Sequence, residues 1–444
     1  MFILRDLLKP LQACFPENES GKERGTWFVY TMLCVTIHFT SARTSNLLRA
    51  IQTLFGFEIS QRRFYAFMDS PKLPWPRLWL TLWSAMTPSA DADGRLILAL
   101  DDFINPKTGK KIFGCASVFD HAAKLNQSSY PWAQNILSIG LLKQIKGRWA
   151  YLPMAFRFYH MKKVIEAGLI KIKGKAPVFQ TKFEQTVDML CEISKAFPGK
   201  AILVVTDSWF GNNGLFAPMR EQVGRLTDIL SRLRVNSNLF DLPCEPKEGQ
   251  RGRRRKYGKL AGNARSLAAS FKDLAQAYTV NLYGKQREVH AFSKVMMLKT
   301  LHCKVRVVWI YRKTQWVALF TTDLTLSVEQ IIEYYGARWK IEAGFKEIKQ
   351  EIGSSKSQTR NPDAVMNHLN FCTMATTITW LYADRLAHTP QRSHAVKGRR
   401  HFAFSDVRKL ITQAALEPNF DRVFPKPVNP PHNSFISALL RMVA

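Results

Sequence analysis

Acidic residues are scarce in this 444-residue chain: 34 Asp plus Glu stand against 64 Lys plus Arg, a formal net charge of +30. So lopsided a balance penalises a compact fold through self-repulsion unless a polyanion is the partner, and nucleic acid is the leading candidate because each neutralised phosphate releases counterions. Cysteine is thinly spread. The seven, at 14, 34, 115, 191, 244, 303 and 372, are odd in number and form no CxxC pair, which argues against a zinc site and a disulfide framework and fits a reducing cytoplasm. Long apolar runs are missing too. The longest, WFVYTMLCVTIHF at 27–39, is too short to span a bilayer and follows the charged GKERGT rather than a signal-peptide n-region, so it reads as a core helix, with no membrane partner expected. No internal repeat is visible, and His121, His160 and His368 form no ligand-spaced set, so no chemistry is assigned to them.

What the chain does have is enough apolar sequence, 46% of its residues, to bury more than one core, and two to four domains are expected. Residues 1–90 read as helical, with Arg43, Arg49, Arg62 and Arg63 interspersed, up to a break at PKLPWP. A small DNA-binding module and a helical cap on the next domain are equally consistent with that pattern. An α/β region over 91–239 follows. GRLILALDDF is an apolar strand ending in two carboxylates, further strand signals run through RWAYLPMAFRFY, and a helix is expected from about Phe179 to Phe197. In KAILVVTDSWFGN the β-branched run is of the kind buried on both faces of a sheet, and Asp207 sits at its carboxyl end, where ligands gather in open α/β sheets. Residues 240–322 open with the basic segment RGRRRKYGK and read as a mainly β insertion. The basic run has two readings, a solvated loop or a non-specific phosphate contact through Arg253, Arg254, Arg255 and Lys256.

Helical patterning resumes over 323–385. In EYYGARWKIEAGFKEIKQEIG (333–353) each helical residue advances about 100°, so Tyr335, Arg338, Glu342 and Lys349 share a stripe about 60° wide. Tyr334, Ile341, Phe345, Ile348 and Ile352 form an apolar band beside it, while Lys340, Glu347 and Glu351 point the other way, toward solvent. A solvated edge with local ion pairs would account for the stripe alone. Three acidic positions change the weighing: Asp101 or Asp102 at one strand end, Asp207 at another, and Glu342 on the helix. Carboxylates converging from two strand ends and a facing helix would repel and take up protons. Two Mg²⁺ ions, for which Mn²⁺ could substitute, would relieve that repulsion and clamp the oxygens of an in-line phosphoryl transfer.

These residues resemble the DDE transposases of bacterial insertion sequences, in particular the group with an RNase H-like core, a β insertion and the YREK signature. That signature reads Tyr, two residues, Arg, three residues, Glu, six residues, Lys; Tyr335, Arg338, Glu342 and Lys349 fit it without a gap. LALDDF, VVTDSWFG and QWVALFTTDL fall in the family's order, and the resemblance covers about residues 90–385. It implies that Asp102, Asp207 and Glu342 bind the metals. Phe103 stands where family members usually have Thr after the first Asp, so Asp101 remains the alternative to Asp102, which is favoured because it precedes the Thr position. The resemblance further implies that Tyr335, Arg338 and Lys349 grip phosphates and that Trp316 stacks on a flipped base, with Trp309 as its rival. It implies a homodimer acting on double-stranded terminal repeats and target DNA in the bacterial cytoplasm, associated with the nucleoid, with residues 386–444 a candidate dimer contact. The alternatives are a nuclease of the same fold without strand transfer and a catalytically inactive, DNA-binding inhibitor of transposition.

Overall fold

A computed structural model describes residues 2–37, 41–89, 92–120, 123, 125–172, 174–244, 255–313, 315–396 and 401–417. Five helices open the chain: α1 (Phe2–Gln12), α2 (Glu19–Thr36), α3 (Thr44–Phe55), α4 (Gln61–Met68) and α5 (Trp75–Ser84). Strands β1 (Leu96–Pro106), β2 (Cys115–Ser117), β3 (Trp132–Ile145) and β4 (Arg148–Tyr159) follow. After α6 (Lys162–Glu166), helix α7 (Lys182–Ala196) lies within the stretch expected from sequence, its start fixed by a reciprocal capping box between Thr181 and Glu184. Then come β5 (Ile202–Thr206), α8 (Asn213–Gln222), β6 (Thr227–Arg232), β7 (Asn238–Phe240), β8 (Leu260–Asn263), α9 (Ala264–Ser270), β9 (Gln276–Leu282), β10 (Lys285–Leu298), β11 (Cys303–Arg312) and β12 (Gln315–Thr321). Four helices close the described chain: α10 (Val328–Ala337), α11 (Trp339–Lys346), α12 (Pro362–Arg385) and α13 (Phe404–Ala415).

β4, β3 and β1 form an antiparallel meander, and β5 and β6 then run parallel to β1. The sheet continues without a break. β12 pairs antiparallel with β6, and β11, β10, β7 and β8 follow in order, with β9 beside β10. The 240–322 segment therefore extends the central sheet edge to edge. Because β5 and β6 are short and parallel to β1, their carboxyl ends open at one edge of the sheet, and the Asp101–Asp102 pair in β1 and Asp207 just past β5 meet there.

The core is organised on α12. Of its 24 residues 19 are buried, so it is enclosed on all sides. Its threonines are satisfied inside the protein: Thr373, Thr376 and Thr379 donate to carbonyls four residues back, and Thr377 donates to the Pro153 carbonyl of β4. The N-terminal helices lie directly against it. Trp75 and Trp79 donate their indole N–H groups to Asn367 (2.7 Å) and Asn370 (2.8 Å), His368 bonds the Ala42 carbonyl, and Phe28 packs on Phe371. α13 also turns its apolar face inward. Arg408 is buried there and donates to the carbonyls of Thr36 (2.7 Å), Ile37 (2.9 Å) and Glu351 (2.6 Å). Among the described residues no helix is long and apolar enough to cross a membrane.

The 333–353 stretch departs from one straight α-helix. Its turns change at Arg338, whose N–H is shared between the Tyr334 and Tyr335 carbonyls, and residues Glu347–Ile352 form a π-helical turn. A π turn holds more residues than an α turn, so Lys349 leaves the phase a uniform helix would give it. The apolar band is buried as the spacing predicts. Glu347, expected on the solvated side, is buried instead, because α12 covers that side and Trp380 donates to its carboxylate at 2.9 Å. A missing side chain sets how closely α11 can dock. A Cβ on Gly344 would lie 2.4 Å from the Tyr151 ring of β4, so only glycine permits this approach.

Candidate active site

β1 alternates its side chains across the sheet, so Asp101 and Asp102 point to opposite faces. Asp101 and Phe103 face α11: Phe103 packs on Phe345 at 4.3 Å, and Asp101 receives Arg338 at 3.2 Å. Asp102 faces α7 and pairs with Lys182 at 2.9 Å. Arg338 also reaches Glu342, one turn along its own helix, at 3.4 Å, so its guanidinium bridges the first strand's acid and the helix acid. Its side chain is only 9% exposed, which makes it a buried cation set among carboxylates.

Asp207 joins the group from β5. Its Oδ1 accepts the backbone N–H of Trp209 (2.9 Å) and Phe210 (3.1 Å), while Ser231 at the end of β6 donates to its carbonyl at 2.6 Å. The neighbourhood shows in the acidity of Asp101. Burial and then the nearby Asp207 carboxylate push it up to about 7, against the pull of Arg338. Burial likewise raises Glu342, with Arg338 opposing, and raises the Tyr335 phenol, which lies near both Arg338 and Asp207. A cavity of about 610 Å³ is lined by Asp101, Asp102, Asp207, Lys182, Trp209 and Lys349, among others.

Lys349 reaches this cavity from the π turn, with its ammonium 3.3 Å from the Ile104 carbonyl and over the Phe103 ring at 5.6 Å. Burial lowers its pKa, and Asp120 counters the shift. Of the sequence-predicted set, Asp101, Asp207 and Lys349 line one cavity, Arg338 ties Glu342 to Asp101, and Tyr335 lies near Arg338 and Asp207. Asp102, the favoured first acid in the sequence, is held on the other face by Lys182. Trp309 is fully buried, donates to the Ala264 carbonyl at 3.1 Å and is a core residue. Trp316 is half-buried and sits on the part of β12 that runs beyond the carboxyl end of β6, toward the same sheet edge as the acids. Arg255 and Lys256 are exposed, whereas Arg253 and Arg254 lie outside the described residues. His160 and His368 are each pushed down to about 4 by burial, and His121 lies outside the described residues.

The donor set is all carboxylate oxygen, the ligand type for a hard divalent ion. Among the described residues no three His, Cys, Asp or Glu side chains converge tightly enough to chelate an ion by themselves, because the Arg338 guanidinium stands between Asp101 and Glu342. Burial first, and then Asp207, keep Asp101 raised despite its ion pair with Arg338. By donor chemistry and charge the residues fit a divalent ion.

Sequence reasoning passed over Trp209. It lies two residues past Asp207, is 46% exposed at the cavity wall, stacks on Phe183 at 5.0 Å and has the Lys182 ammonium 5.3 Å from its ring. A Trp two residues after a strand-end Asp was the available signal.

Comparison with known families agrees with this geometry. The sequence profile of the DDE superfamily endonucleases matches residues 30–290, and that of an archaeal ISC1217-type transposase family matches residues 258–364. No curated protein matches the chain.

Proposed function

Since the chain belongs to the DDE superfamily endonucleases, we propose that it is a cut-and-paste transposase that cleaves DNA at the terminal inverted repeats of its element and joins the 3′ ends to target DNA. The observation that carries the reading is that Asp101, Asp207 and Lys349, from β1, the end of β5 and the π turn, line one cavity, with Glu342 linked to Asp101 through Arg338. Support for an RNase H-like core comes from the strand order, in which an antiparallel meander is followed by two parallel strands.

Asp101, Asp207 and Glu342 are the residues that would hold two divalent ions, Mg²⁺ or Mn²⁺. Asp101 takes the place of Asp102 in that set because only Asp101 faces α11. When bound, the ions supply charge stabilisation to the attacking and leaving oxygens of an in-line transfer. The chain's own residues do the rest. Arg338 neutralises the acids in the resting protein and is placed to turn toward a DNA phosphate. Lys349 lines the same cavity and, with Tyr335 beside Arg338, positions the strand, and the half-buried Trp316 is placed to support a displaced base. The exposed basic loop around Arg255 and Lys256 holds flanking duplex without reading its sequence. Two chains working together on two ends, in the cytoplasm on the nucleoid, complete the reading; α13, with its apolar face buried inside the chain, would leave other parts of the surface to make the contact.

A plasmid carrying the DNA that flanks the coding sequence tests the proposal. Mg²⁺-dependent release of that segment and its recovery joined to a second DNA are expected. Cleavage without joining would reduce the function to a nuclease. Undiminished cleavage after Asp101, Asp207 and Glu342 are all changed to Ala would refute the site.

A further inference from the structure

Several features lie outside the machinery above. One is the cavity of about 480 Å³ behind α11, lined by Glu347, Arg148 and Lys346 among others; another is the buried His160. The wall of the acid cavity opposite α11 carries more. There Trp209 is fixed from three sides: its backbone N–H is tied to Asp207, Phe183 stacks on its ring with 22° between planes, and Phe210 meets it edge-on at 4.7 Å. A rotamer-locked indole that remains 46% exposed at the mouth of a charged cavity leaves apolar surface in water that a flat apolar group would cover. Beside it, Lys182 is held by Asp102 at 2.9 Å, and its ammonium lies near both the Trp209 and the Tyr159 rings.

We propose that Trp209 is a stacking platform for one unpaired nucleobase next to the phosphate under attack, and that Lys182, positioned by Asp102, takes the adjoining phosphate. The inference rests on the DNA-cleaving reading of the same cavity and adds to it the state of the substrate. Bases inside a duplex are covered on both faces, so an indole at this position meets a base only at a frayed or extruded nucleotide. The second Asp of the DD pair then acts as a positioning residue for a phosphate-binding lysine on the face away from α11. Trp316 stands on a different strand at the same edge and would serve a different nucleotide.

The test uses the full-length chain in EDTA with short duplexes that differ only in a few unpaired nucleotides at one end, one of them 2-aminopurine. Wild type should prefer the frayed duplex roughly tenfold and change the fluorescence of the probe on stacking. Trp209→Ala should lose both the preference and the fluorescence change, and Trp209→Phe should keep most of each. Lys182→Ala should weaken binding and lower its salt slope while leaving the fluorescence change. Since Trp209 is exposed, the variants should fold, and the Phe variant controls for packing. A preference and a fluorescence change that survive in Trp209→Ala would make Trp209 a packing residue and overturn the inference. Wild type that binds both duplexes alike in EDTA, yet cleaves paired duplex in a parallel assay with Mg²⁺, would defeat the inference alone. Wild type that binds neither DNA would defeat it together with the function it rests on.

Discussion

Two carboxyls, Asp101 in β1 and Glu347 at the start of the π turn, are pushed up to about 7. Burial is the main cause for both. The next cause separates them. Asp101 is raised further by Asp207 and then Asp102, against Arg338 and the Asp102 N–H, whereas Glu347 is drawn back down by the Trp380 hydrogen bond and by Arg148 and Lys340, with only Glu351 acting the other way. An acid whose neighbours are donors has its requirements met by the fold. An acid that other acids raise even beside an arginine leaves room for a further cation, and a shifted pKa gains functional meaning only when the groups that shift it are named.

The largest expected effect falls on the first of the two. Asp101→Ala should lower the DNA cleavage rate by on the order of 10³-fold or more, since a lost metal-binding carboxylate removes several kcal/mol of transition-state stabilisation. Asp102→Ala should retain cleavage within about tenfold, as expected of a group one step removed from the chemistry. Both should still bind duplex. Cleavage and gel-shift measurements on the same preparations decide it, and the reverse order of the two variants would restore Asp102 as the first acid.

Glu347 should respond in stability instead. Glu347→Ala leaves the buried Trp380 N–H without its partner, a loss of about 1–3 kcal/mol, read as a drop of a few degrees in the melting temperature. The pH dependence has a fixed sign. The folded-state pKa of Glu347 is raised from 4.5 to about 7, so its contribution to stability is full below 4.5 and is lost as pH rises through about 7. Glu347→Gln should flatten the melting profile across that window. Mg²⁺ should raise the melting temperature of wild type and Glu347→Gln at neutral pH but not that of Asp101→Ala. If Mg²⁺ stabilised all three alike, the contrast between the two carboxyls would collapse.

The smallest effect concerns the basic segment RGRRRKYGK. Changing Arg253, Arg254 and Arg255 to Ala together should weaken duplex binding at every sequence and reduce the slope of log K against log salt by about one for each lost phosphate contact. An altered sequence preference at an unchanged slope would contradict that role.

Much of this was legible in the chain. Periodicity located the buried band of Tyr334, Ile341, Phe345, Ile348 and Ile352, and a β-branched run ending in Asp207 located a central strand. The choice between Asp101 and Asp102 was not legible. Alternation shows that they point apart, but β1 is covered on both faces, by α11 on one and α7 on the other, and nothing local tells which cover carries the acid. Glu347 was misread because a helical wheel assumes solvent opposite the apolar band, and Trp380, which occupies that place, is 33 residues away in sequence. The π turn escaped because hydrophobic spacing over so short a stretch does not separate α from π phase. The joining of the 240–322 strands to the central sheet rests on the β6–β12 pairing, whose partners lie about ninety residues apart, beyond any local pattern.

The position of α12 also orders events in time. Asn367 donates to the Met68 carbonyl across 299 residues, and Phe28 packs on Phe371 at 5.3 Å, so the N-terminal helices are complete only when a segment near the far end of the chain arrives. At about 5–20 residues per second, the ribosome needs on the order of 15–60 s to deliver it. Throughout that interval the apolar flank of α2 lacks its native cover, and closing so long a loop is slow. Each newly made copy thus passes through an interval in which apolar helix surface is open to aggregation.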